Sequence, residues 1–171
     1  MEGCGWYDFN KINPTQGGPD NKMCWAAAVS NLLQWWLDRN SDWIETEYKE
    51  TDYPHKIPLT GKGTPDMVYG EIFETFRKRF GNVSGYMGKG INWYINGIYK
   101  DSYNGTVTGS PDVNAGFFRN KYGNRSLVRD WNNVTKEIFN TEVKAALKAG
   151  KAVAISINNN GNQRTNHALN F

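Results

Sequence analysis

Asp20-Asn21-Lys22-Met23-Cys24-Trp25-Ala26-Ala27-Ala28-Val29-Ser30-Asn31-Leu32-Leu33-Gln34-Trp35-Trp36-Leu37 is the stretch on which the reading of this chain turns. Trp25, Ala28, Val29, Leu32, Leu33, Trp36 and Leu37 recur at the i, i+3, i+4, i+7 spacing of a helix with one buried face. The spacing predicts a helix that opens at or just before Cys24 and runs to about Arg39. Asp20 and Asn21 are residues of the kind that cap such a helix. A thiol in the first turn meets backbone N–H groups and the positive end of the helix dipole, which favour the thiolate, the reactive form. The alternative is a cysteine serving as a small buried hydrophobe. Near the other end, Asn166-His167-Ala168-Leu169 sets an imidazole at the head of an apolar stretch. A cysteine at a helix start with a distant histidine is the pattern of a thiol protease. The one other histidine, His55, lies in the proline-bracketed Tyr53-Pro54-His55-Lys56-Ile57-Pro58. That context reads as surface loop, so His167 is the preferred base.

Outward from the cysteine helix, the remaining elements are shorter. Ser41 to Pro65 reads as a polar, proline-containing loop. Val68, Ile72, Phe73, Phe76 and Phe80 mark a second amphipathic helix stopped by Gly81. Ile91-Asn92-Trp93-Tyr94-Ile95 fits a strand or a helical turn equally well. Thr141 is suited to cap a short helix carrying Val143, Ala146 and Leu147, with Gly150 at its C′ position. Lys151 to Ile157 reads as a buried strand, Asn158 to Asn162 as a turn, and His167 to Phe171 as the start of the next strand. Helices first and strands later make an α+β pattern, with the nucleophile on a helix and the base on an antiparallel sheet.

Composition bounds the function. A chain of 171 residues is expected to form one domain, 1–171, with a real core. Seven Trp, nine Tyr and eight Phe supply much of that core. A net charge of +3, scattered over 20 basic and 17 acidic residues, points to neither nucleic acid nor an anionic membrane. No apolar run is long enough for a transmembrane helix, and no basic-then-apolar leader opens the chain, so a processed secreted form is expected. Cys4, in the glycine-flanked N-terminus, is expected to be frayed, although pairing with Cys24 would silence the thiol. No Cys/His spacing of zinc type occurs, and the chemistry calls for no metal or organic cofactor. Asn-x-Ser/Thr sequences start at Asn82, Asn104, Asn124 and Asn133, most of them expected by chance in an asparagine-rich chain.

Cys24-Trp25-Ala26 and Asn166-His167-Ala168 resemble the nucleophile and base segments of the papain-like cysteine proteases. Trp6-Tyr7-Asp8 with Lys11, Leu32 to Asn40, Ile95-Asn96-Gly97, Gly150-Lys151-Ala152 and Arg164 to His167 resemble, in order, the streptococcal IgG-cleaving endopeptidase family known as IdeS or Mac. The resemblance implies a papain-like fold and a secreted cysteine endopeptidase acting on a protein substrate, an immunoglobulin hinge. It implies Cys24 as nucleophile, His167 as base, and an oxyanion hole made by the Cys24 N–H with Lys11. Gln16 is the rival for the Lys11 role, since papain uses a glutamine upstream of its cysteine. The family's third catalytic residue is an aspartate on a strand after the histidine. None follows His167 before Phe171, so a truncated chain, or a separate chain completing the fold, is expected. Two rival readings stand beside it: a papain-like binding module for a host glycoprotein or peptide that does not cleave, and acyl transfer by the same Cys–His dyad to an amine.

Overall fold

A computed structural model describes residues 18–49, 52–57, 70–100, 102–103, 105–131, 134–158 and 166–170. The thiol-bearing helix forms as its periodicity dictates: α1 spans Cys24–Arg39. Trp25, Val29, Leu33 and Leu37 are buried along one side, and the small Ala26, Ala27 and Ala28 are buried around them. Its capping differs from expectation. The N-cap residue is Met23, with no side-chain cap bond. Asp20 acts through its backbone, its carbonyl accepting the Met23 N–H at 2.9 Å.

After α1 the chain stays helical where a loop was expected. The short α2, Ser41–Trp43, runs into a π-helical turn, Ile44–Tyr48, which ends at Lys49 with φ 57°. The interspersed Asp, Glu and Thr hide its apolar side from a pattern search. Ile44 is buried, Tyr48 stacks on Trp43 and Phe118 at 5.3 Å, and the Tyr48 hydroxyl donates to the Phe117 carbonyl.

Helix α3, Glu71–Phe80, buries Ile72, Phe73 and Phe76 and stops at Gly81, whose φ of 65° suits glycine. Val68, assigned to the same helix from sequence, lies outside the described residues. Helix α4, Met87–Asn96, settles the ambiguity at Ile91–Ile95 in favour of a helix. Its pattern was unreadable because Asn92, Trp93, Tyr94, Ile95 and Asn96 are all buried, leaving no polar face to set a period. Gly88 and Gly90 are poor helix formers, yet space demands Gly90: a Cβ there would sit 2.9 Å from Cζ3 of Trp25. The missing side chain lets α4 close onto α1.

Strands β1 (Ser102–Tyr103) and β2 (Thr106–Val107) form a small antiparallel pair, and α5 (Arg119–Tyr122) follows. Helix α6, Lys136–Lys148, starts earlier than its sequence suggested. Thr135 caps it, its side-chain oxygen accepting the Ile138 N–H at 3.3 Å, and Thr141 lies inside it. Gly150 does close the helix: its N–H donates to the Leu147 carbonyl and that of Lys151 to Ala146, a Schellman pair. Strand β3, Ala154–Asn158, is shorter than Lys151–Ile157 and less covered than expected, with Ser156 exposed. Strand β4, Asn166–Asn170, pairs with it antiparallel, Ile157 opposite His167 and Asn158 opposite Asn166.

Helix α1 is the hub, touching α3, α4 and β4. The core joins Trp25, Val29 and Leu33 to Phe73 and Phe76 of α3, Trp93 and Tyr94 of α4, and Phe118. Each such side chain contributes roughly 1.5–3 kcal/mol on leaving water. This is an α+β arrangement, helical in its larger part. Among the described residues no helix is long and apolar enough to cross a membrane.

Candidate active site

Cys24 is the first residue of α1 and is half-buried, so its thiol stands at a helix start and not in the core. The neighbours on either side are held tightly. Met23 is fully buried before it and Trp25 is 2% exposed after it. Trp25 packs edge-on against Phe76 at 5.4 Å and Phe80 at 5.7 Å.

The loop between α3 and α4 grips this helix start at both ends. On the N-terminal side, the Asn82 Oδ1 accepts the Lys22 N–H at 2.8 Å. The Asn82 Nδ2 donates to the Gly18 carbonyl at 3.0 Å and to the Asn21 Oδ1 at 2.9 Å. On the C-terminal side, the Trp25 indole Nε1 donates to the Val83 carbonyl at 2.8 Å. Gly85 then lies against the indole, where a Cβ would come within 2.5 Å of Cε2. Tyr99 completes the anchor: burial pushes its hydroxyl up from the ordinary tyrosine value, while the N–H it accepts from Tyr86 pulls the other way. Sequence reading entered Asn82 only as part of an Asn-x-Ser sequence, and nothing in the residues themselves signals these contacts.

Asp20, fully buried in the same turn, lies near Arg77 of α3. The Arg77 guanidinium is held above its ordinary value, chiefly by its hydrogen bonds to Glu74 and, more weakly, by the charge of Asp20. A buried aspartate with a cation nearby fits the rule that buried charge is compensated.

His167 is the second residue of β4, the strand that packs on α1. The elements carrying the expected nucleophile and base are therefore in contact. Lys11 and Gln16, the oxyanion-hole candidates, and Cys4 lie outside the described residues.

His55 is half-buried, not the surface residue its loop suggested. Its Nδ1 lies 2.6 Å from the Tyr53 carbonyl, its ring packs on Tyr53 at 4.4 Å, and its N–H donates to Oε2 of Glu71. With Lys56, Glu71 and Lys78 it lines an open cleft of about 370 Å³. Burial opposes ionisation of Glu71, but the N–H groups of Lys56 and His55 outweigh it and hold the carboxyl below its ordinary value. This cleft is remote from the thiol. Glu71 begins α3, whereas Asn82 and Val83, which hold the Cys24 turn, lie beyond its end. A ten-residue helix is about 15 Å long, too far for His55 to reach Cys24.

An IgM protease of Streptococcus suis (strain P1/7) is 26% identical over 163 residues, an alignment covering 86% of this chain and 14% of the relative. The chain thus spans about one seventh of the length of that curated relative. A family model described as Mac 1 matches residues 1–170. A match running through almost the whole sequence decides its descent: the chain belongs to the Mac-1 family.

Proposed function

We propose that this chain carries the thiol centre of a secreted, papain-like cysteine endopeptidase that hydrolyses an immunoglobulin. The observation that carries the reading is the thiol at the first residue of α1, with the histidine strand packed on that same helix, in a member of the Mac-1 family. The relative named for IgM proteolysis directs attention to immunoglobulin as substrate.

In this reading His167 takes the Cys24 proton to give a thiolate–imidazolium pair. The thiolate attacks the scissile carbonyl carbon, and the Cys24 N–H, with Lys11 or else Gln16, stabilises the oxyanion. Collapse of the tetrahedral intermediate expels the amine, which takes the imidazolium proton. A water deprotonated by the neutral imidazole then hydrolyses the thioester and restores the thiol.

The test is fragmentation of purified IgM and IgG by the chain and by Cys24→Ala and His167→Ala. Cys24→Ala is expected to abolish cleavage. His167→Ala should slow it by about 100- to 10,000-fold, the usual range for loss of a general base. Cleavage that survives Cys24→Ala refutes the thiol mechanism. Immunoglobulin bound but never cut would favour a binding module instead.

A further inference from the structure

Cys24 is flanked by two residues that are each tied, by hydrogen bonds, to the same two-residue segment some 60 positions away in sequence. Lys22, two residues before the thiol, donates its N–H to Asn82, and Trp25, immediately after it, donates its indole N–H to Val83. Helix starts generally rely on a side-chain cap for their definition, and α1 has none. The Asn82 carboxamide instead holds the turn that leads into the helix. Its oxygen accepts from Lys22, and its two N–H donors serve the Gly18 carbonyl and the Asn21 side chain. One side chain therefore fixes three points of the turn from Gly18 to Lys22.

We propose that Asn82 is a positioning residue for Cys24, setting through this turn where the thiol and the Cys24 N–H stand. The inference rests on the protease reading of Cys24. Asn82 is half-buried, and both its donors and its carbonyl oxygen are engaged within the protein. It acts on geometry and not by binding substrate.

The test compares Asn82→Ala and Asn82→Asp with wild type and with Ile44→Val, a core change away from the thiol that supplies a destabilised reference. Asn82→Asp keeps the acceptor for Lys22 and loses both donors, and it remains informative should Asn82→Ala fold poorly. Per folded molecule, Asn82→Ala should lower kcat on immunoglobulin by about 10- to 100-fold, the scale of an ångström-size misplacement. KM should stay within about twofold, because no substrate contact is removed. Asn82→Asp should fall between Asn82→Ala and wild type, and Ile44→Val should match wild type.

Alkylation of Cys24 by iodoacetamide at pH 7.5 gives a second readout that needs no proteolysis. Asn82→Ala should react at least about threefold more slowly than Ile44→Val, because the turn that sets the thiol's place at the helix start is released. Wild-type kcat and wild-type alkylation in Asn82→Ala would overturn the proposal. A raised KM with unchanged kcat would also overturn it, by making Asn82 a substrate contact. If wild type cleaves no immunoglobulin but alkylation slows as expected, the positioning role stands and the protease reading falls.

Discussion

Replacing Trp25 by Phe removes one hydrogen bond and one ring from beside the thiol, and the structure allows its cost to be worked out. The indole N–H bonded to the Val83 carbonyl is lost. That bond is only partly buried, so the loss sits near the low end of the usual range, about 0.5–1 kcal/mol. The second contribution is packing. Trp25 is 2% exposed, enclosed by Phe76, Phe80 and Tyr99 and by the bare faces of Gly85 and Gly90. These neighbours sit on α3, on α4 and on the segments before and after α4, so they relax little into the vacated space, and a partial truncation of this kind costs about 1–2 kcal/mol. The sum is about 1.5–3 kcal/mol. For a chain of this size each kcal/mol lowers Tm by about 2–4 °C, so Tm should fall by about 3–12 °C. Trp35→Phe is the control. Trp35 is half-buried, with the Arg39 guanidinium over its ring at 5.3 Å, and its replacement should cost under about 1 kcal/mol. Thermal unfolding followed by circular dichroism measures both. Equal shifts in the two variants would refute the account of Trp25 as the pinned neighbour of Cys24.

Further outcomes follow from other elements. Thr135→Ala should destabilise by about 0.5–1 kcal/mol through loss of the α6 cap, while Thr141→Ala in the helix interior should be nearly neutral, as denaturant midpoints will show. Gly123→Ala, at φ 55° in open space, should cost about 1–2 kcal/mol. Gly116→Ala should cost more in the same unfolding assay, because its Cβ would also lie 2.9 Å from the backbone of Asn96 and Gly97. Asp112 carries a pH signature: the Asn114 N–H, with Arg79 and Trp93, holds its carboxyl below the ordinary value of 3.8. A depressed carboxyl stabilises the fold above its unfolded value and loses that contribution as pH falls through the folded value. The stability gap between wild type and Asp112→Asn should therefore be full at neutral pH and close as pH falls below 3.8, read from urea midpoints. A gap that widened on acidification would contradict the geometry at Asp112.

Legibility followed the contrast between buried and exposed faces. Helix α1 was readable to its ends because its apolar positions keep helical spacing against Asn31, Asp38 and Arg39. Helix α4 was not, because burial on all sides removes the polar half of the pattern. The turns after α1 were missed since Trp43, Ile44 and Tyr48 are scattered among acidic residues. At the site, Cys24 and the strand of His167 were legible from residue type and context alone. Asn82 was not. Its partners Gly18, Asn21 and Lys22 lie some 60 positions away, and no local pattern encodes a carboxamide reaching across that distance.

That distance has a consequence for how the protein comes into being. The bonds from Lys22 to Asn82 and from Trp25 to Val83 close loops of 60 and 58 residues, whose entropy must be lost before the contacts repay it. Helix α1 can form early from its own sequence, but its first turn is defined only once α3 has docked and presented the residues beyond its end. The surroundings of the thiol are therefore completed late, after the chain around them has folded. Hydrogen exchange should show the same order in reverse, with the Lys22 N–H opening together with the α3–α4 loop and not with the interior of α1. A half-folded chain carries the cysteine without the contacts from Asn82 and Val83 that fix its place.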